Sequence, residues 1–289
     1  MPGAKRSRTA QGVVAERALL TDLGVIDDPV AASMLEPGFR RLVDVLRRLP
    51  ARTWCRAITL AGLGARVAWM DAQIDAALAD GIGQVAMVGA GYDSRAWRMR
   101  RDGVRWVELD RPSSQRAKRQ GAPGPGPTFV EADLRSDDAM EALVRGGLDA
   151  YRPAVFVFEG VTMYLDELVL RDQLHRLADG GATGSRLLAD FTPPAGSGTG
   201  RHTRQLWLQR LARGGSGERF LFTATASDAR ALVVSAGWDV DAVTSLRDAA
   251  RSLVPPRSGL PVDEVHHGKT LLAARTGAVR SPRTGRPCR

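Results

Sequence analysis

Four short words in the chain place glycine or carboxylate at the end of an apolar run. They are Val-Gly-Ala-Gly-Tyr-Asp-Ser (88–94), Val-Glu-Leu-Asp (107–110), Glu-Ala-Asp-Leu (131–134) and Phe-Val-Phe-Glu-Gly (156–160). Gly89 and Gly91 lack a Cβ, so the backbone there can turn sharply and approach a ligand. Asp110 suits the two hydroxyls of a ribose, which one carboxylate can accept in bidentate fashion. Asp133 suits the exocyclic amine of an adenine, with Leu134 packed on the ring. Each acid also has a plain structural reading: a helix cap for Asp110 and Asp133, an ion pair for Glu159. Four such words at successive strand ends favour one shared pocket over four independent caps.

A dinucleotide fingerprint would continue as G-x-G-x-x-G, but Ser94 stands at the third glycine position. Asp93 also sets a carboxylate where a pyrophosphate would meet a helix N-terminus, and that charge repels phosphate. No Walker lysine follows, which excludes a P-loop. S-adenosylmethionine has no phosphate; it carries a sulfonium, an amino acid end, a ribose and an adenine. A glycine-approached, carboxylate-lined pocket fits that ligand best.

These residues need strands to position them. Apolar runs at 82–88, 104–109, 127–132, 154–159 and 185–191 predict five strands, with helical patterns near 94–100, 112–120, 137–146 and 166–179 between them. Such alternation predicts right-handed βαβ units and a parallel sheet. A helix at 227–237, capped by Ser227 and stopped by Gly237, and two closing strands at 238–246 and 269–275 complete the pattern. The expected fold class is α/β: a Rossmann-like, seven-stranded, mostly parallel sheet with helices on both faces and an antiparallel hairpin at one edge. Upstream, Leu42, Val45, Leu46 and Leu49 recur at helical spacing, and residues 63–81 read as one amphipathic helix. The expected organisation is a disordered basic arm (1–12), one catalytic domain (13–276) and a disordered basic tail (277–289). Within the domain we expect an N-terminal helical cap (13–81), a cofactor-binding core (82–191), a lid insertion (192–226) and a closing helix and strands (227–276).

The chain has 289 residues and a formal net charge of +9. Eight of those excess charges fall on Lys5, Arg6, Arg8, Arg275, Arg280, Arg283, Arg286 and Arg289, in stretches without acids. The body is nearly neutral, so a specific nucleic-acid partner is not expected. No apolar run reaches membrane-spanning length and the N-terminus lacks an apolar signal core, so neither membrane nor export is expected. Cys55 and Cys288 form no metal or disulfide pattern and fit a reducing cytoplasm. No histidine pair has metal-ligand spacing, so no metal is expected.

Longer words now carry a resemblance. TAQGVVAERA, IDDPVAASML, ARVAWMD, VGAGYDSRAWRM, VELDRP, EADLR, FVFEGVTMYL and SAGWDV run in order from about residue 9 to residue 240. The chain resembles the leucine carboxyl methyltransferase family, in particular its bacterial branch of S-adenosylmethionine-dependent O-methyltransferases. The resemblance implies a class I methyltransferase in which Arg66 contacts the cofactor carboxylate and Glu159 lies near its amino group. It implies further that Gly89, Gly91, Asp110, Asp133 and Leu134 line the cofactor site and that Tyr164 faces the methyl acceptor. The chain departs from the family at Val67-Ala68-Trp69 and at Val30, on the side where the N-terminal helices cover the acceptor.

The expected reaction is O-methylation of a carboxylate or hydroxyl on a small molecule, such as one of secondary metabolism. A carboxylate needs no base. A hydroxyl needs one, and the candidates are Tyr164, Glu159, His175 and His202, with His202 favoured among the histidines by its place in the loop after the fifth strand. His266 and His267 read as surface-loop residues. Amine methylation of nucleic acid would call for an Asn/Asp-Pro-Pro-aromatic word after the fourth strand, where this chain has Glu-Gly-Val-Thr. Two other classes stay open: a nicotinamide-dependent Rossmann oxidoreductase, and a non-catalytic relative that binds S-adenosylmethionine.

Overall fold

The computed structural model describes residues 8–54, 60–196 and 220–277. Helices α1 (Arg8–Asp22), α2 (Pro37–Arg48), α3 (Ala51–Trp54) and α4 (Leu60–Ala79) come first. Then β1 (Gln84–Val88), α5 (Arg95–Arg98), β2 (Arg105–Asp110), α6 (Pro112–Arg119), β3 (Thr128–Glu131), α7 (Ala139–Arg145), β4 (Val155–Phe158), α8 (Glu167–Gly180) and β5 (Arg186–Phe191) alternate. The chain closes with α9 (Ala226–Ser235), β6 (Trp238–Ser245), α10 (Leu246–Leu253) and β7 (Thr270–Thr276).

The strands form one sheet in the order β3-β2-β1-β4-β5-β7-β6. β1 to β5 are parallel, and β7 runs antiparallel between β5 and β6. β1 and β4 are buried on both faces, which explains their unbroken apolar runs. One face packs against α1, α4 and α10 through Leu20, Met70, Ile74 and Ala250. The other packs against α7, α8 and α9 through Leu143, Leu174, Leu177 and Val233. The order reverses between β1 and β4, so the carboxyl ends of β1, β2, β4 and β5 surround one crevice.

Several local expectations change. α1 begins at Arg8, inside the segment expected to be a disordered arm. Gln11 ties it down: its Nε2 donates to Met34 O at 3.1 Å and its Oε1 accepts from Glu36 N at 2.8 Å. On α2 the buried stripe is Phe39, Val43 and Leu46, whereas Leu42, Val45 and Leu49 stand half exposed. The helix lies on the outside of the cap against α1, so only one of its two apolar stripes is covered. Thr225, not Ser227, caps α9, in a capping box with Asp228. β6 stops at Ser245, whose side chain accepts from Asp248 N and starts α10, a helix not anticipated from the sequence.

Glu108 faces α6 from the middle of β2 and is fully buried, paired with Lys118. Burial pushes its carboxyl up to about 7, against the opposing pull of Lys118. A carboxyl whose folded value lies above its unfolded value binds more protons when folded, so its contribution to stability falls as pH rises between those values. Unfolding free energy should therefore lose about 3 kcal/mol from this site between pH 4.5 and 8. Denaturant titrations of wild type and of the Glu108→Gln/Lys118→Met double variant check this: the pH slope should vanish in the variant.

Candidate active site

The loop leaving β1 turns at two glycines with positive φ, Gly89 at 73° and Gly91 at 49°. Their surroundings differ. A Cβ on Gly89 would lie 2.6 Å from Val161 Cγ2, so this glycine lets the β1 loop pack on the loop after β4. A Cβ on Gly91 would meet nothing within 4 Å and would project into open space. Gly91 is thus the point where backbone lines an open cleft.

Asp110 holds that turn in place. Its Oδ2 accepts from Gly91 N at 2.6 Å and its Oδ1 from Arg111 N at 2.7 Å. Arg111, not Asp110, is the N-cap of α6, so the capping alternative for Asp110 is set aside. Each carboxylate oxygen keeps a lone pair with which to accept a hydroxyl. Asp133 follows β3 in the next loop, where Ala132 N donates to Asp110 O at 3.0 Å. Its Oδ1 accepts from Arg135 N at 3.1 Å, and the cap of α7 is Asp138 instead. Leu134 is buried in the apolar layer beneath α7 and α8. Buried Gln173 on α8 pins this loop by donating to Leu134 O and Asp137 O and accepting from Ala139 N. Nothing in the sequence around Gln173 distinguishes it from an ordinary helical residue.

Glu159 ends β4 between two arginines. Arg66 Nε reaches its Oε1 at 3.0 Å and Arg95 Nη1 reaches its Oε2 at 2.6 Å. Arg66 Nη1 continues to Asp190 Oδ2 at 3.3 Å, while its Nη2 has no hydrogen-bond partner among the described residues. Asp190, in β5, accepts from Gly160 N at 2.5 Å and pairs with Lys269 at 3.2 Å. Thr162 Oγ1 donates to Asp190 O at 2.6 Å. Glu-Gly-Val-Thr is therefore a docking word: its glycine amide and its threonine hydroxyl both bind Asp190.

Arg95 is fully buried and joins Asp71 at 2.6 Å, Asp93 and Glu159. Arg98 shares Asp71 at 2.7 Å, and Arg17 pairs with Asp28 at 2.7 Å and lies 3.9 Å from Asp93. Arg17, Arg66, Arg95, Arg98 and Lys269 thus face Asp28, Asp71, Asp93, Glu159 and Asp190, five cations against five carboxylates. Burial alone would raise the carboxyls of Asp71, Asp93 and Asp190, but their cationic neighbours hold all three below the usual carboxylate range. Burial alone would likewise lower Arg66 and Arg95, and the facing carboxylates raise both instead. The Asp93 charge is accordingly neutralised, so it does not repel phosphate as the sequence suggested. What stands against a dinucleotide is Ser94, whose hydroxyl is buried where the fingerprint needs a bare backbone.

The structure brings Arg66 onto Glu159 and Gly91 onto Asp110, with Gly89 packed beside them and Asp133 on the adjoining loop. Tyr164 sits on the turn after β4 with its ring 5.7 Å from that of Phe220, edge to face. No described contact joins it to the Arg66–Glu159 pair. His202 lies outside the described residues. Asp190, Arg95, Asp71 and Lys269 went unread in the sequence. Asp190 carries the one signal that was there, an acid inside the otherwise apolar stretch 187–191.

Strand order, glycine loop and acids at strand ends define a Rossmann-like class I methyltransferase fold. The leucine carboxyl methyltransferase model matches residues 10–178. A Streptomyces coelicolor protein named as a candidate S-adenosyl-L-methionine-dependent methyltransferase is 31% identical over 283 residues, spanning 92% of this chain and 94% of that relative. A like-named Mycobacteroides abscessus protein is 35% identical over 188 residues, 62% of this chain and 61% of the relative. The chain belongs to the leucine carboxyl methyltransferase family, whose cofactor is S-adenosylmethionine. Among solved structures, a DUF574 family protein from Streptomyces avermitilis superposes with a TM-score of 0.59 at 16% identity, covering 94% of this chain and 98% of that one. A candidate methyltransferase from Thermobifida fusca gives 0.55 at 18% identity, covering 86% and 93%. At these identities the superpositions speak for the fold.

Two outcomes are expected. Arg95→Met leaves three buried carboxylates short of a cation and should cost about 3–5 kcal/mol of unfolding free energy. Arg101→Gln, which breaks an exposed pair with Asp75, should cost about 0.5 kcal/mol or less. Chemical denaturation of both variants checks the contrast. Gly89→Ala should destabilise by about 2–4 kcal/mol through strain and collision, and Gly91→Ala by about 1–2 kcal/mol through its φ alone; thermal melts rank them.

Proposed function

We propose that the protein is an O-methyltransferase that uses S-adenosylmethionine to methylate a carboxylate or hydroxyl of a small molecule. The observation that carries this reading is the open space beside Gly91, whose amide donates to Asp110, at the same carboxyl edge of the sheet as the Arg66–Glu159 pair. Every part of that opening suits one part of the cofactor. Arg66 Nη2 is placed to donate to the carboxylate of the amino acid end, and Glu159 to accept from its ammonium. Asp110 accepts the ribose hydroxyls. Asp133 accepts the adenine amine, and the aliphatic wall at Leu134 borders the ring. When bound, the cofactor supplies an electrophilic methyl group on a sulfonium leaving group.

The protein's task is then positioning. Holding the acceptor oxygen about 3–3.5 Å from the methyl carbon is worth ~7–11 kcal/mol of barrier. The N-terminal helices cover the acceptor in this reading. Tyr164 and His202 are the base candidates when the acceptor is a hydroxyl. A carboxylate acceptor arrives ionised and needs no base.

Calorimetry with S-adenosylhomocysteine tests the site. Asp110→Ala and Asp133→Ala should each weaken binding roughly 10- to 100-fold, as expected for a lost hydrogen bond to a charged group. If both variants fold and bind like wild type, the assignment is wrong. Incubation with methyl-labelled cofactor and a panel of small carboxylic acids and phenols tests the chemistry. A methyl ester releases methanol in mild base and a methyl ether does not, so the product separates the two acceptors.

A further inference from the structure

We propose that helix α1 is coupled to cofactor binding through Arg17 and Ser94, which act as positioning residues for the glycine loop. The inference rests on the cofactor reading above but concerns residues outside that pocket. Arg17 is 5% exposed, Ser94 0% and Asp28 1%. Arg17 Nη2 lies 2.7 Å from both Asp28 Oδ2 and Ser94 Oγ. Ser94 Oγ donates to Asp28 Oδ1 at 2.7 Å, and the same carboxylate oxygen accepts from Ala31 N at 3.1 Å. Arg17 Nη1 donates to Tyr92 O at 3.4 Å.

One arginine of α1 therefore grips consecutive residues of the loop that begins at Gly91. An ion pair from Arg17 to Asp28 and hydrogen bonds from Arg17 to Ser94 and from Ser94 to Asp28 close α1, the segment after it and the loop into one unit. Ser94 occupies the position where a dinucleotide fold needs glycine for close helix–strand packing. Here that position carries a hydroxyl spent wholly on the N-terminal cap. The loop shape that exposes Gly91 and aims its amide at Asp110 is thus set from outside the pocket. Binding coupled to this shape must act back on α1 with equal strength, because linkage is reciprocal.

The test combines calorimetry with hydrogen exchange, using the full chain and S-adenosylhomocysteine as the probe. In wild type, the probe should slow amide exchange in α1, which supplies none of the residues assigned to the cofactor. Ser94→Ala should raise the Kd about tenfold, the scale of one hydrogen bond to a charged partner, and abolish the slowing in α1. Ser94→Thr, which restores the hydroxyl, should recover both. Arg17→Lys keeps the charge but not the forked reach, and should reproduce Ser94→Ala; it stands in if Ser94→Ala fails to fold. Unchanged exchange in α1 on binding to wild type overturns the coupling, as does wild-type affinity in both Ser94→Ala and Arg17→Lys. If wild type itself does not bind the probe, it is the cofactor reading that has failed, and this inference falls with it.

Discussion

The site depends on one buried cation. Arg95 is withdrawn from solvent and touches carboxylates from three separate parts of the chain: Asp71 on α4, Asp93 in its own loop and Glu159 at the end of β4. An isolated arginine in such a place would be costly, and three isolated carboxylates more so. Together they satisfy one another, and the geometry leaves few alternatives. The guanidinium fixes where α4 crosses the sheet and how the β1 loop meets the β4 loop. Arg66 and Lys269 extend the arrangement to Asp190, and Arg17 extends it to the N-terminal cap.

This balance also shapes the chemistry of the cleft. Sites that bind a zwitterion need donors and acceptors close together without a large net field. Here the charges compensate within the network, so Arg66 keeps one nitrogen to offer beside the Glu159 carboxylate. Asp110 works differently. Its two oxygens are anchored by backbone amides, which fixes the carboxylate without a cation. The cleft thus has a paired end at Arg66 and Glu159 and an amide-anchored end at Asp110, which matches the uneven polarity of an amino acid joined to a nucleoside.

Much of this was legible in the sequence, for a physical reason. β1 and β4, buried on both faces, read as unbroken apolar runs, the more exposed β3 and β6 as short apolar or alternating words, and the residue ending each parallel strand faces the crevice by topology. Gly89, Gly91, Asp110, Asp133 and Glu159 could be picked out on that ground alone. The partners could not. Asp71, Arg95 and Lys269 look like surface charges in their local context, and only the packing of α4, the β1 loop and the start of β7 around the ends of β4 and β5 brings them together. Asp93 reads as a bare charge for the same reason: Arg17, which faces it, lies far away in the sequence. α10 was hidden because the alternating word of β6 runs straight into its first turn.

The reversed direction of β7 has a consequence for how the molecule is made. Because that strand starts at the crevice and enters between β5 and β6, it carries Lys269 to Asp190 only after every other strand has emerged. A growing chain that has completed β5 already holds Arg66, Glu159 and Asp190, yet with an acid too many. The five cations and five carboxylates of the network are matched in number only once this final strand is in place, so the charge balance around β4 and β5 is a late product of assembly.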